Sequence, residues 1–341
     1  MTDTAVASLA EIRGMLNELP GADLDAARAT AEREGQLTKP PGALGRLEEL
    51  AEWLATWQGR HPPRLDHPRT AVFAGNHGVA AQGVSAFPAA VTAEMVKNFV
   101  AGGAAVNQLC RIFDADLKVY ELALETPTRD FTLASAMEEE ECAKAMVYGM
   151  MAVEPGLDAL CLGEMGIANT TSAAALAFAL FGGEAKDWVG PGTGVTGPQL
   201  EHKRRVVEAG VSRHRQGADG LQLMARLGGF ELAAIAGAII AARQARTPVV
   251  LDGFACTAAA ACLFQLDRHV LDHCIVAHVS AEPGHARLLA KLGKNALFNF
   301  GMRLGEASGA TLALGVLKAA VACHTGMATF AEAGVSGKDG V

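Results

Sequence analysis

Five times between residues 69 and 280 a short, nearly unbroken apolar run stops at a glycine or a polar residue. Each time an alanine-rich helical stretch follows. The runs are TAVFAG ending at Gly75, LKVYELAL at 117–124, LDALCLGE ending at Glu164, PVVLDG at 248–253 and CIVAHVS at 274–280. A strand that shows no polar alternation is buried on both faces, and strands that alternate with helices pair in parallel. The expected fold is α/β: a Rossmann-like parallel sheet with helices on both faces. In such sheets a ligand lies beyond the carboxyl ends of the strands. Those ends carry GNHG, GEMG, DGF and SAEPGH.

The flanks read differently. Residues 1 to about 60 have helical spacing, as in LEELAEWLATW, broken by TKPPGALGR at 38–46 because proline and glycine do not continue a helix. HPPR at 61–64 reads as a linker. From Arg303 the chain is helical again through EASGATLALGVLKAAVAC and MATFAEAGVS. At ~150 residues per domain, 341 residues suggest two domains. The expected division is a small helical domain of 1–65 with 303–341, and a large α/β domain of 66–302 carrying the active site.

Composition narrows the function. Half the residues are hydrophobic, which excludes disorder over most of the chain. A net charge of -8 with 5% aromatics argues against a nucleic-acid partner, which needs a basic footprint and stacking rings. The longest apolar run, 232–242, is about half the ~20 residues of a membrane span, so no membrane partner is expected. The start MTDTAVAS is acidic where a signal peptide is basic, so the expected location is cytoplasmic. Seven cysteines form no CxxC pair, and they read as reduced, buried thiols rather than metal ligands. No metal site and no cofactor are expected.

Four segments carry polar residues at places where chemistry is possible. GEMGIANTTSAAALAFAL at 163–180 passes from a strand end through a glycine turn into a helix, with Asn169, Thr170, Thr171 and Ser172 in its first turn. Free N–H groups and the helix dipole there suit an anion, or the segment is an ordinary capped helix. GPGTGV at 190–195 either lets backbone amides approach a ligand or is a surface turn. Lys203, on the helix that follows, reads on its own as a solvated charge. In 74–110, Asn76 and His77 follow a strand, Phe87 and Pro88 make an apolar patch, and Thr92 is a candidate helix cap. The patch suits a flat ligand as well as core packing, and His77 alone reads as a structural hydrogen-bonder. Glu306, in RLGEASGA, either caps its own helix or serves as a general base, with Glu164 as a second carboxylate.

Together these segments resemble the nicotinate-nucleotide:dimethylbenzimidazole phosphoribosyltransferase family, which activates the lower ligand of cobalamin. The matching stretches are LTKPPGALGRLEELA, GNHGV, GVSAFPAAVTAEMV, GEMGIANTTSAAA, GPGTG, LGGFELAAIAGA, VVLDGF, HVSAEPGH, RLGEASGA and MATFAEAGVS, in family order over nearly the whole chain. The resemblance implies transfer of 5-phosphoribosyl from nicotinate mononucleotide to 5,6-dimethylbenzimidazole or a related base. The products are nicotinate and α-ribazole 5′-phosphate. It also implies a homodimer whose sites are completed across the interface.

Residue by residue, Glu306 matches the family's catalytic base, Glu164 its supporting carboxylate and Lys203 a lysine near the phosphoribosyl group. Met165 and Leu304 match the benzimidazole pocket, beside the apolar patch of Phe87 and Pro88. Asn169, Gly192, Thr193 and Gly194 match the phosphate loops, next to Gly166 and Thr170 of the GEMG turn, with Ser280 and Gly284 close by. The chain departs from the family at Asn76, where many relatives carry Asp, and at Ala168 and Ala307, where Gly is common. None of these touches Glu164 or Glu306. Two rivals are weaker: a dinucleotide oxidoreductase lacks its GxGxxG signature here, and a non-catalytic binder has no need of Glu306. The same fold acting on another acceptor base stays open.

Overall fold

The computed structural model describes residues 7–336. The elements, in chain order, are α1 (Leu9–Leu16), α2 (Leu24–Glu34), α3 (Arg46–Gln58), β1 (Pro68–Gly75), α4 (Ala90–Ala101), α5 (Ala105–Phe113) and β2 (Asp116–Leu122). Then come α6 (Glu139–Met150), β3 (Ala159–Met165), α7 (Asn169–Phe181), α8 (Gly197–His214), α9 (Gly220–Leu227), α10 (Phe230–Gln244), β4 (Val249–Leu251) and α11 (Phe254–Phe264). The chain continues with β5 (Cys274–His278), α12 (Pro283–Leu292), β6 (Ala296–Phe298), α13 (Ser308–Gly326) and α14 (Phe330–Ala333).

The strands form one parallel sheet in the order β2-β1-β3-β4-β5-β6. The inner strands β1, β4 and β5 are buried along their whole length, as their unbroken apolar sequence requires. The sixth strand was not expected from sequence. It is three half-buried residues at the sheet edge, too short to show a period, and it joins β5 only through Val276–Ala296 and His278–Phe298.

One face of the sheet is covered by α6, α7, α9, α10 and α11, the other by α3, α5 and α13. The α6–α10 contact is set by two glycines. A Cβ on Gly149 would lie 1.9 Å from Ala234 O, and one on Gly237 would lie 1.9 Å from Met146 O. Any side chain at either position would part the helices. Among the described residues α13 alone is a helix long and apolar enough to cross a membrane, so the apolar run at 232–242 is not the relevant segment. In this fold α13 instead lies on the sheet, with Ala310, Ala313, Leu314 and Leu317 packed among Val72, Val250 and Ala277.

The two ends of the chain meet. Arg33 donates to His324 O (2.8 Å), Leu37 bridges Thr329, and the Lys39 ammonium sits between Glu34 and Glu48 (2.9 Å to each). Thr92 is not a helix cap. α4 starts two residues earlier, and the buried Thr92 hydroxyl accepts the Ile167 N–H (3.1 Å), tying α4 to the turn after β3. All seven cysteines are free, and six of them are buried.

Candidate active site

A cleft of about 390 Å³ opens at the carboxyl ends of β3, β4 and β5. The floor is made by those strand ends and by the starts of α7 and α11. One wall is Phe87 with α4, and the other is the 303–306 segment before α13. Of the residues singled out in the sequence, Phe87, Glu164, Met165, Gly166, Asn169, Thr170, Gly192, Thr193, Ser280, Leu304 and Glu306 line this cleft. Pro88, Lys203, Gly194 and Gly284 do not. Pro88 faces the neighbouring depression by Asn76 and His77. Gly284 packs against Trp188 O, where a Cβ would come within 2.7 Å.

Glu306 is buried, and its N–H donates to Glu164 O (3.1 Å). This bond fastens the start of α13 to the end of β3. Glu306 and Ala307 are both left-handed, with φ of 61° and 58°. The Glu306 side chain makes no cap for its own helix, which leaves its carboxylate to the cleft. Burial, joined by the charge of Asp252, pushes its pKa up to about 7. A carboxylate tuned so is a strong enough base to take a proton near neutrality and still be ionised there.

Glu164 lies opposite. Burial drives its carboxyl well above the usual range, and the charges of Asp252 and Glu231 push it the same way. The Asn169 amide opposes them by donating to Glu164 Oε2. Behind this floor His77 and Glu231 form a fully buried pair (2.6 Å), with Ser172 on the other ring nitrogen (3.0 Å). The pair packs beneath Gly166, where a Cβ would stand 2.6 Å from Gly75 O and 3.3 Å from the imidazole. Want of space therefore accounts for a glycine at 166, whose backbone also lines the cleft.

The glycine loop 190–194 is held from several sides. Glu282 accepts the Gly192 N–H (2.8 Å), and Arg303 donates to Gly192 O (3.0 Å). Lys203, only 1% exposed, stands behind the loop and donates to Thr170 Oγ1 (2.8 Å) and Gly190 O (3.0 Å). Its burial brings the ammonium pKa down to about 8, against the pull of Glu282. The Thr193 hydroxyl accepts the Ala86 N–H (3.0 Å) and bonds Ser85 Oγ (2.8 Å). That latch couples the loop to the wall carrying Phe87.

Several lining residues were not named from sequence: Val91, Met95, Phe254, His278, Glu282 and Arg303. His278 and Glu282 belong to strand-end motifs whose place in the sheet already marked them. Val91 and Met95 are spaced four apart on α4, so one helix face carries both into the wall.

Ala168, the turn residue before α7, is left-handed at φ 77°. An alanine there bears ~1–2 kcal/mol of strain that glycine avoids, less ~0.5–1 kcal/mol for the freedom glycine gains when unfolded. Ala168→Gly should therefore raise the unfolding free energy by about 0.5 kcal/mol, seen as a slightly higher urea midpoint. A lowered midpoint would contradict this account of the turn.

An apolar wall, a buried carboxylate tuned to neutrality and a clamped glycine loop, all at the strand ends of a parallel sheet, define a group-transfer enzyme of the open α/β class. The chain belongs to the DBI_PRT phosphoribosyltransferase family, whose sequence pattern it matches over residues 19–335. It is 58% identical to the nicotinate-nucleotide–dimethylbenzimidazole phosphoribosyltransferase of Rhizobium etli (strain CIAT 652), over 96% of this chain and 97% of that protein. It is 57% identical, with the same coverage, to the enzyme of that name from Rhizobium meliloti (strain 1021). The crystal structure of a nicotinate-nucleotide–dimethylbenzimidazole phosphoribosyltransferase from Thermus thermophilus superposes with a TM-score of 0.86. That pair is 39% identical, covering 92% of this chain and 99% of the other.

Proposed function

We propose that the chain transfers 5-phosphoribosyl from nicotinate mononucleotide to 5,6-dimethylbenzimidazole, giving nicotinate and α-ribazole 5′-phosphate for cobalamin biosynthesis. The observation that carries the chemistry is Glu306, a buried carboxylate of pKa about 7 facing an apolar cleft. The donor's leaving group is a pyridinium. When its bond to C1′ breaks, the electron pair returns to the ring nitrogen and nicotinate departs without an acid. The acceptor is the weaker partner. One benzimidazole nitrogen attacks C1′, and the proton on the other nitrogen passes to Glu306, an assistance of ~10²–10⁴ in rate. Attack opposite the leaving group inverts the anomeric carbon, as the α product requires.

Phe87, Met165 and Leu304 form the apolar side that suits the flat acceptor. The start of α7 with Asn169 and Thr170, the loop 192–194 and the charges of Lys203 and Arg303 suit the phosphate. Glu164 faces the positive charge of the donor ring and of the transition-state sugar. That cation favours its ionised form, opposing the effect of burial. No step calls on a metal or a cofactor.

We read the enzyme as a cytoplasmic homodimer; the exposed apolar side chains of Phe87, Phe300 and Leu304 support the dimer. We also read 1–65 with 303–341 as a helical unit against an α/β unit of 66–302. The contacts of Arg33 and Leu37 with the end of α13 and the residues beyond it support that division, which makes Arg303 to Glu306 the helical unit's share of the cleft.

The test is chromatography after mixing the protein with nicotinate mononucleotide and 5,6-dimethylbenzimidazole in the presence of a chelator. Equal amounts of nicotinate and the α-riboside phosphate are expected. Nicotinate alone marks a hydrolase or another acceptor, and no turnover by folded protein that binds the nucleotide marks a binding protein.

A further inference from the structure

Asp252 stands at the end of β4, fully buried, between the cleft and the start of α13. No side chain within α13 or its lead-in caps that helix, since its cap residue is Ala307. Asp252 reaches across from the sheet instead: its Oδ1 accepts the Ala310 N–H at 2.9 Å. The same oxygen lies 3.5 Å from His278 Nε2. Among the described residues its second oxygen has no hydrogen-bond partner, and neither does His278 Nδ1, in a ring that lines the cleft. Gly309 makes this approach possible, because a Cβ there would lie 2.8 Å from Asp252 Oδ1 and 2.1 Å from the imidazole.

Resting on the phosphoribosyl-transfer reading above, we propose that Asp252 is a positioning residue for Glu306. It caps α13 from a neighbouring strand, and so holds the left-handed Glu306–Ala307 turn in place. Its carboxylate also sets a fixed negative charge near the base.

Two physical effects meet in this one side chain. A charged cap satisfies a first-turn N–H and complements the helix dipole, which fixes where the helix begins. The turn before it contains two consecutive non-glycine residues in the left-handed region, a costly conformation that persists only where the surroundings impose it. The surroundings here are Glu164 O on one side and Asp252 on the other. The charge acts separately. A buried like charge disfavours ionisation of Glu306 and makes it a stronger base. The other ionisable groups facing Glu306 are Glu164 at the end of β3, His278 on β5, Glu282 at the start of α12 and Arg303 on its own segment. Of these, only His278 contacts Asp252 as a partner of opposite tendency.

Asp252→Asn separates the effects, because its amide oxygen still accepts the Ala310 N–H while the charge is gone. The expected result is an acid limb of kcat/KM shifted down by about one pH unit. At pH 8 turnover falls several-fold, and the KM for nicotinate mononucleotide is nearly unchanged. Asp252→Ala removes the cap too and should lower both the melting temperature and turnover far more. Should the Asn variant fail to fold, Asp252→Ser removes the charge with less bulk, gives up the cap through its shorter reach, and carries the same prediction for the acid limb. A wild-type acid limb that neither neutral variant moves overturns the proposal. Absence of any transfer by the wild-type enzyme overturns the underlying reading instead.

Discussion

Glu306→Gln should lose ~10²–10⁴-fold in turnover while nicotinate mononucleotide binds with near-normal affinity. The amide keeps the shape of the side chain, and the Glu306 N–H still donates to Glu164 O, so the cleft is preserved. What it lacks is a lone pair basic enough to take the benzimidazole proton. The same substitution should stabilise the fold in alkaline solution. An unfolded glutamate releases its proton near pH 4.5, whereas the folded Glu306 holds it up to about 7. The stability tied to that raised value is complete below 4.5 and is lost as pH rises through 7. Glutamine has nothing to ionise, so by pH 8 the variant should be the more stable by up to about 3 kcal/mol, and by pH 5 the gap should nearly close. Thermal melts at the two pH values check this. Equal stability at both would mean that the carboxylate is solvated rather than buried.

Gly163→Ala should cost about 3 kcal/mol and ~10²-fold in activity. Gly163 lies inside β3, paired with Val72, and the turn before α13 passes directly over it. A Cβ there would meet Ala307 N at 2.0 Å, and Ala307 Cα and Cβ at 2.4 Å. Backbone cannot rotate aside as a side chain can, so either the strand or the Glu306–Ala307 turn must move. A displacement of that size takes the base out of reach of its proton. Urea unfolding and steady-state rates measure the two losses. A variant that keeps full activity would show that the turn has slack, and the positioning argument for Asp252 would fall with it.

Much of this was legible in the sequence for identifiable reasons. The strands β1, β3, β4 and β5 announce themselves because a buried parallel strand has no polar face. Glu164 and Glu306 stood out because each interrupts a glycine-rich motif at an element boundary, but a cap and a base looked alike there and only the family resemblance separated them. The edge strand β6 was missed because three half-buried residues carry no period. Lys203 looked like a solvated charge, since nothing local reveals that the helix turns it beneath the glycine loop. The reach of Asp252 to α13 was hidden for the same reason: residues 252 and 310 meet only when the sheet is assembled. Ala168 and Ala307 read as departures from glycine, but only the backbone shows that both sit where glycine is at ease.

We infer that Glu306 accepts the proton released as the acceptor attacks. Single-turnover rates for wild-type protein and Glu306→Gln, measured from pH 5.5 to 9 with saturating nicotinate mononucleotide and 5,6-dimethylbenzimidazole, test it most directly. The wild-type rate should rise with pH and level off near 7, as a base of that strength requires, while the residual rate of the variant should show no such limb. A limb near 7 that survives in the variant would assign the proton to another group.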